Sequence, residues 1–120
     1  DIMHRRVDLP LVNIGTNIDK AITVLSDKRF GCVGIIDHAG VLVGIITDGD
    51  IRRNMKIDTS LARVEDIMTR KPTTTSSDVL AVEVIELINS KRITAVFVVD
   101  AQNKPEGLIH IHDLLREGVA

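Results

Sequence analysis

The sequence predicts an α/β (α+β) fold of two tandem β-α-β-β-α units, packed sheet-to-sheet with pseudo-twofold symmetry. Three observations carry this. The chain matches itself at a shift of 63 residues, pairing Lys28-Arg29 with Lys91-Arg92, Asp37 with Asp100, Gly44 with Gly107, Asp50 with Asp113 and Arg53 with Arg116. Such self-similarity marks a repeat architecture. Each unit carries one stretch of helical period between short β-branched runs. And of 120 residues, 44% are hydrophobic but only two are aromatic, so Val and Ile supply the bulk, as suits strands under helices.

The elements follow in order. Ile18, Ala21, Ile22 and Leu25 fall at i, i+3, i+4, i+7, and Ala81, Val84, Ile85 and Ile88 fill the same slots in the second unit. Thr16 and Ser77 are the expected N-caps. Cys32 to Ile36 and Ala95 to Val99 are apolar runs that end in turn residues, Asp37-His38-Ala39-Gly40 and Asp100-Ala101-Gln102-Asn103. Each run therefore enters a hairpin. Val41 to Ile46 and most of Gly107 to Ile111 are apolar throughout, as expected of strands buried on both faces. A second helix starts near Asp50 or Asp113, with Ile51 and Met55 as a short apolar stripe on the first. At the front of each unit the register is 65, pairing Asp1-Ile2-Met3 with Asp66-Ile67-Met68. The unit boundary is placed at residue 62, giving units 1–62 and 63–120. A unit of this size is marginal alone, so the two are expected to share a core.

Composition excludes several functions. The net charge of −2, mixed along the chain, supplies no basic face for nucleic acid. No apolar run is long enough to span a membrane, and no secretory signal is present. A lone Cys32 cannot form an internal disulfide, which fits a reducing, cytoplasmic setting. The chain begins at Asp1 without Met, as a piece of a longer protein would.

The residues that carry chemistry sit at the ends of the last strands: GIITDGD at 44–50 and GLIHIHD at 107–113. Thr47-x-x-Asp50 is a capping-box pattern, and helix capping is one full account of it. In the second unit His110 stands in place of Thr47, yet Asp113 keeps its position. Nucleotide binding is the other account. A carboxylate accepts two hydrogen bonds from a ribose diol, and a hydroxyl with free N–H groups at a helix start suits phosphate. Gly44 and Gly107 would let a base or a strand approach closely, and Ile2 and Val12 would line an apolar wall.

His110 and His112 share a face if the strand continues. They are candidates as a polar strand end, for anion recognition beside Arg52, Arg53 and Arg116, or as the start of a metal site that would need His4, His38, Cys32 or an acid. Lys91 and Arg92 suit a helix C-terminus and are candidate phosphate contacts. Met3 and His4 join the candidate ligand-binding set, although Met3 and Met68 also suit core plugs. No catalytic residue and no metal site is assigned.

Two tandem units, each ending in an aliphatic strand with G-h-h-T-x-x-D before a helix, resemble a pair of cystathionine-β-synthase-type (CBS) domains. The opening DIMH-x(5)-P, TDGDIRR at 47–53 and HIHDLLREGV at 110–119 resemble the CBS pair of the D-arabinose-5-phosphate isomerase family. The sequence departs from that family at Arg6-Val7, where Gly is expected. The resemblance implies a sugar-isomerase domain upstream, absent from this chain, in a parent aldose–ketose isomerase of Kdo and lipopolysaccharide biosynthesis. It implies ribose contact for Asp50 and Asp113 and phosphate contact for Thr47. It also implies a regulatory ligand, CMP-Kdo or an adenine nucleotide (AMP or ATP), with no cofactor required. A homodimer of CBS pairs within a homo-oligomer is the implied assembly, and a ligand-free dimerisation module is the alternative.

Overall fold

The computed structural model describes residues 4–5, 8–116 and 118, with the side chains of residues 4 and 5 outside that description. The readings on Ile2, Met3, the Asp1-Ile2-Met3 triplet and Arg6-Val7, and on the His4 side chain, lie outside the described residues.

The element order is β1 (His4–Arg5), β2 (Leu11–Asn13), α1 (Ile18–Lys28), β3 (Cys32–Ile36), β4 (Leu42–Thr47), α2 (Asp48–Arg53), a 3-10 turn (Val64–Asp66), β5 (Thr69–Arg70), β6 (Thr74–Thr75), α3 (Ala81–Lys91), β7 (Ala95–Val99), β8 (Pro105–His110) and α4 (Ile111–Arg116). The strands form two four-stranded sheets, ordered β2-β3-β4-β5 and β1-β8-β7-β6.

The compact units do not follow the sequence repeat. One is Pro10–Pro72; the other joins Asp1–Leu9 to Thr73–Ala120. The reason lies in two short strands. β5 runs antiparallel to β4, with Arg70 opposite Gly44 and Thr69 opposite Ile45. β1 does the same to β8, with Arg5 opposite Gly107 and His4 opposite Leu108. Each repeat thus lends its leading strand to the last strand of the other repeat. The exchanged strands match at a 65-residue register, and the bodies of the repeats at 63.

In Pro10–Pro72, α1 crosses between the parallel pair β2 and β3. It buries Ile18 and Ala21, with Ile22 and Leu25 half-buried. The core adds Val12, Val33, Ile35, Ile46, Val64 and Met68. The cap is one residue later than expected: Asn17 Oδ1 accepts from the Lys20 N–H at 3.0 Å. Thr16 instead offers its carbonyl to the Val64 N–H at 2.8 Å. In the second unit α3 begins after Leu80, without a side-chain cap. Ser77 is not the cap, and its neighbour Ser76 donates to Asp78. That unit's core is Val84, Ile88, Val96, Val98, Ile109 and Leu114.

The two hairpins are built alike. Asp37 Oδ1 accepts from the N–H groups of Ala39 and Val41. Asp100 Oδ1 does the same for Gln102 and Lys104. The αL position is Gly40 in one and Asn103 in the other, the two residue types that tolerate it best. Two expectations need correction. β4 is not enclosed on both faces: Leu42, Gly44 and Ile46 are buried, while Val43, Ile45 and Thr47 are half-buried. Met55 lies beyond the end of α2 and is exposed, so it forms no stripe with Ile51.

Gly44 receives a side chain rather than a base. A Cβ there would lie 2.4 Å from Met68 Sδ and 2.9 Å from its Cγ, so Met68 lies across the glycine into the core. Gly44→Ala forces Met68 aside and is expected to cost about 1–3 kcal/mol, read as a lower urea midpoint. Adding Met68→Ala vacates that space, so the double variant should lose less than the sum of the singles. Strict additivity would mean that the two side chains do not compete.

Candidate functional site

At the end of β4 the chain turns directly into α2, and Thr47 serves as N-cap with extended backbone, φ −113°. Its Oγ1 accepts from the Asp50 N–H at 3.2 Å, while Asp50 Oδ2 accepts from the Thr47 N–H at 2.9 Å and from its hydroxyl at 3.1 Å. The capping box is real. It consumes one carboxylate oxygen. The other, Oδ1, is met by Arg53 Nη2 at 2.5 Å. Asp50 is 6% exposed, whereas the Arg53 side chain is 69% exposed. The arginine end of the pair is exposed and the carboxylate end is not, so a competing donor reaches Oδ1 by displacing the arginine.

Gly49 lies between them. A Cβ there would be 3.1 Å from Arg53 Nη1, 3.6 Å from Thr47 Oγ1 and 3.7 Å from an Arg52 guanidinium nitrogen. Two guanidinium groups and a hydroxyl therefore converge over a residue that has no side chain. Gly49 was not singled out from the sequence; its place within Thr-x-Gly-Asp was the signal.

The second unit repeats the acid with a different cap. His110 ends β8, and its Nδ1 accepts from the His112 N–H at 3.1 Å. His110 therefore does cap the helix head, through the imidazole of the tautomer protonated on Nε2. The exchange of Thr47 for His110 between the units therefore keeps a cap and changes its chemistry. Asp113 is again 6% exposed, and Arg116 donates to its Oδ1. His112 occupies the position of Gly49, and its ring centroid lies 4.7 Å from that of His110. What one head leaves open, the other fills with imidazole.

Lys91 and Arg92 close α3, Arg92 in the αL conformation at the C-cap, as Arg29 does for α1. This is the placement expected of cations at a helix C-terminus. Both basic loops are tied to the helix heads by backbone. Gly31 O accepts from the Asp48 N–H at 3.3 Å, and Thr94 O accepts from the Ile111 N–H at 2.8 Å. Among the described residues no ion pair joins Lys91 or Arg92 to Asp113. Nor do three His, Cys, Asp or Glu side chains among them gather as a metal-ligand set. No helix among them is long and apolar enough to cross a membrane.

Cys32 lies beside this site, opposite Thr47 in the β3–β4 ladder. Burial, aided by the Asp48 carboxylate, pushes its thiol up to about 12. The thiolate is the reactive form. Disulfide-exchange reagents at pH 8 should therefore label the folded chain on the order of 10³-fold more slowly than the urea-unfolded chain. Equal rates would show that Cys32 is open to solvent.

Comparison with known proteins decides the family. The CBS domain model matches residues 1–57 and again 64–120. The chain belongs to the CBS-domain family. It is a CBS pair, a regulatory module and not a catalytic domain. The pair is 37% identical over 121 residues to arabinose 5-phosphate isomerase KdsD of Pseudomonas aeruginosa, covering 99% of this chain and 37% of the isomerase. It therefore spans little more than a third of that relative's length. Among solved structures, the CBS pair of protein MJ0100, in complex with 5′-methylthioadenosine and S-adenosyl-L-methionine, superposes with TM-score 0.86 at 27% identity, covering 98% of this chain and 92% of that one. CBSX2, in complex with AMP, superposes with TM-score 0.84 at 25% identity, covering 99% and 93%.

Proposed function

We propose that this CBS pair is the nucleotide-responsive regulatory region of an arabinose 5-phosphate isomerase, acting in the cytoplasm on its own upstream sugar-isomerase domain, within a homo-oligomer that pairs CBS regions. The observation that carries the reading is the repeated buried carboxylate. Asp50 and Asp113 hold the same helix position at the same 6% exposure, although one is capped with a threonine hydroxyl and the other with an imidazole. Capping alone does not require the same acid under two different caps. Each has an exposed arginine on Oδ1, a pairing that a ribose diol can displace.

CMP-Kdo is the proposed ligand. Its ribose suits Asp50 or Asp113, its phosphate suits Thr47 with Arg52 and Arg53, and its sugar carboxylate suits His110, His112 or Arg116. An adenine nucleotide is the second reading, favoured by the adenosine compounds held by MJ0100 and CBSX2. Regulation follows only if the ligand binds two states of the enzyme with different affinity.

The test is a thermal-shift series of the chain with CMP-Kdo, CMP, AMP, ATP and S-adenosylmethionine. A ligand selective for the folded state raises Tm with concentration, by about 2.7 kcal/mol of stabilisation at 100 times Kd. A shift with CMP-Kdo well beyond that with CMP supports end-product sensing. A shift with adenine compounds alone supports the second reading. No shift with any at millimolar concentration leaves an assembly module.

A further inference from the structure

The head of α3 is built unlike the head of α1, although the two helices hold the same place in the repeat. At the 63-residue shift Asn17 corresponds to Leu80, Ile18 to Ala81 and Asp19 to Val82. Leucine is among the poorest N-cap residues, and Leu80 supplies no side-chain cap. Leu80 is also 64% exposed, and Val82 is 56% exposed. With half-buried Val79 and Ala81 they make a continuous apolar run at an uncapped helix start. Among the described residues nothing accepts from the N–H groups of Ala81 and Val82. Single exposed aliphatics are ordinary on a surface. A run of them where a polar cap is favoured points to a neighbour that covers it.

The other unit shows what covers the equivalent place. Residues 59–64, which lead into β5, lie across the head of α1. Ala62 O accepts from the Ile18 N–H at 3.0 Å, and Thr59 O accepts from the Asp19 N–H at 3.0 Å. The Thr59 hydroxyl donates to Asp19 Oδ1 at 2.5 Å. Asn17 and Arg63 form a β-bridge. Val64 closes the core at 0% exposure. The orphan N–H groups of that helix start are thus met by the chain that enters the exchanged strand.

β1 is the counterpart of β5, each pairing with the last strand of its sheet. At their 65-residue register, residues 59–64 correspond to the chain directly ahead of Asp1, with Val64 matching the second residue before it. The proposed function puts the upstream domain on that side, and the chain covers 37% of its Pseudomonas aeruginosa relative. We propose that the segment joining the upstream domain to Asp1 docks across the head of α3. Its carbonyls accept from the Ala81 and Val82 N–H groups, and its apolar side chains cover Leu80 and Val82. The α1 head meets its cover through Asp19, a polar contact, whereas Val82 offers an apolar one. The docking segment is therefore richer in aliphatic residues than residues 59–64, with an aliphatic in the place of Val64. This inference rests on the proposed order of domains and on nothing that the nucleotide site does.

Amide hydrogen exchange, read residue by residue in the full-length protein and in the 120-residue chain, tests it. The Ala81 and Val82 amides should exchange at least about 10-fold more slowly in the full-length protein. Leu80→Asn/Val82→Ser removes the apolar run and supplies the missing cap. In the 120-residue chain it should leave Tm unchanged or raised. In the full-length protein it should remove most of the added protection and speed proteolytic cleavage ahead of Asp1 several-fold. Leu61→Asn, at a leucine 73% exposed in the other unit, should change neither. The proposal is overturned by equal exchange in the two proteins, by protection that survives Leu80→Asn/Val82→Ser, or by protection that arises in the 120-residue chain alone as its concentration is raised, which would assign the cover to a second copy. A full-length protein that answers to no nucleotide can still pass this test, and one that answers can still fail it.

Discussion

A fragment spanning residues 10–72 is expected to fold, while a fragment of almost equal length cut at the repeat boundary, residues 1–62, is expected to remain largely unfolded. The composition of the sheet and core explains why. Residues 10–72 contain every strand of β2-β3-β4-β5, the 3-10 turn, and the whole core from Val12 to Met68. Residues 1–62 lack β5 and lose Val64 and Met68, which are 0% and 8% exposed. They also lose the Val64 N–H bond to Thr16 O and the Gly15 N–H bond to Glu65. In exchange they keep β1, whose partner β8 is gone. Burial of the two side chains contributes about 1.5–3 kcal/mol each. A domain of roughly 60 residues has little to spare. Amide chemical-shift dispersion and a cooperative urea transition should be present for 10–72 and absent for 1–62. Equal cooperativity in both would mean that the exchanged strand is an ornament on a self-sufficient repeat.

Asp50→Ala should separate the two tasks of that carboxylate. Loss of the box removes acceptors for the Thr47 N–H and hydroxyl, at a cost of about 1–2 kcal/mol of stability. A ribose held by the carboxylate loses two charge-assisted hydrogen bonds, so affinity for a nucleotide should fall on the order of 10²–10³-fold. Arg53→Ala should spare the fold, because it removes only an exposed partner of Oδ1. Any affinity it loses should track the phosphate, so binding of a nucleoside without phosphate should be unchanged or improved. The stability loss alone, with affinity intact, would reduce Asp50 to a cap. Asp113→Ala gives the matching comparison in the second unit, and a selective loss in one variant identifies the occupied site.

Much of this architecture was legible in the linear sequence because its signals are local. The i, i+3, i+4, i+7 spacing of Ile18 to Leu25 depends only on helix pitch. Asp37 and Asp100 satisfy N–H groups two and four residues onward, within reach of a single turn. The Thr47–Asp50 box closes over three residues. The cap of α1 was misplaced by one because Thr16 and Asn17 both have capping side chains. The choice falls to Asn17 because Val64, a distant residue, claims the Thr16 carbonyl.

Other features had no local signature. Two-residue strands such as β1 and β5 are too short to show a period, and which sheet they join depends on contacts across the chain. The imidazole cap of His110, the Met68 side chain over Gly44 and the Arg52–Arg53 convergence over Gly49 each depend on where side chains come to rest. The sequence by itself determined the repeat, the helices, the hairpins and the two acids, because each is governed by interactions within one turn or one alternation of the backbone. Only the tertiary structure decided which strand completes which sheet and what occupies the space beside each acid, because those outcomes are set by packing between segments far apart in the chain.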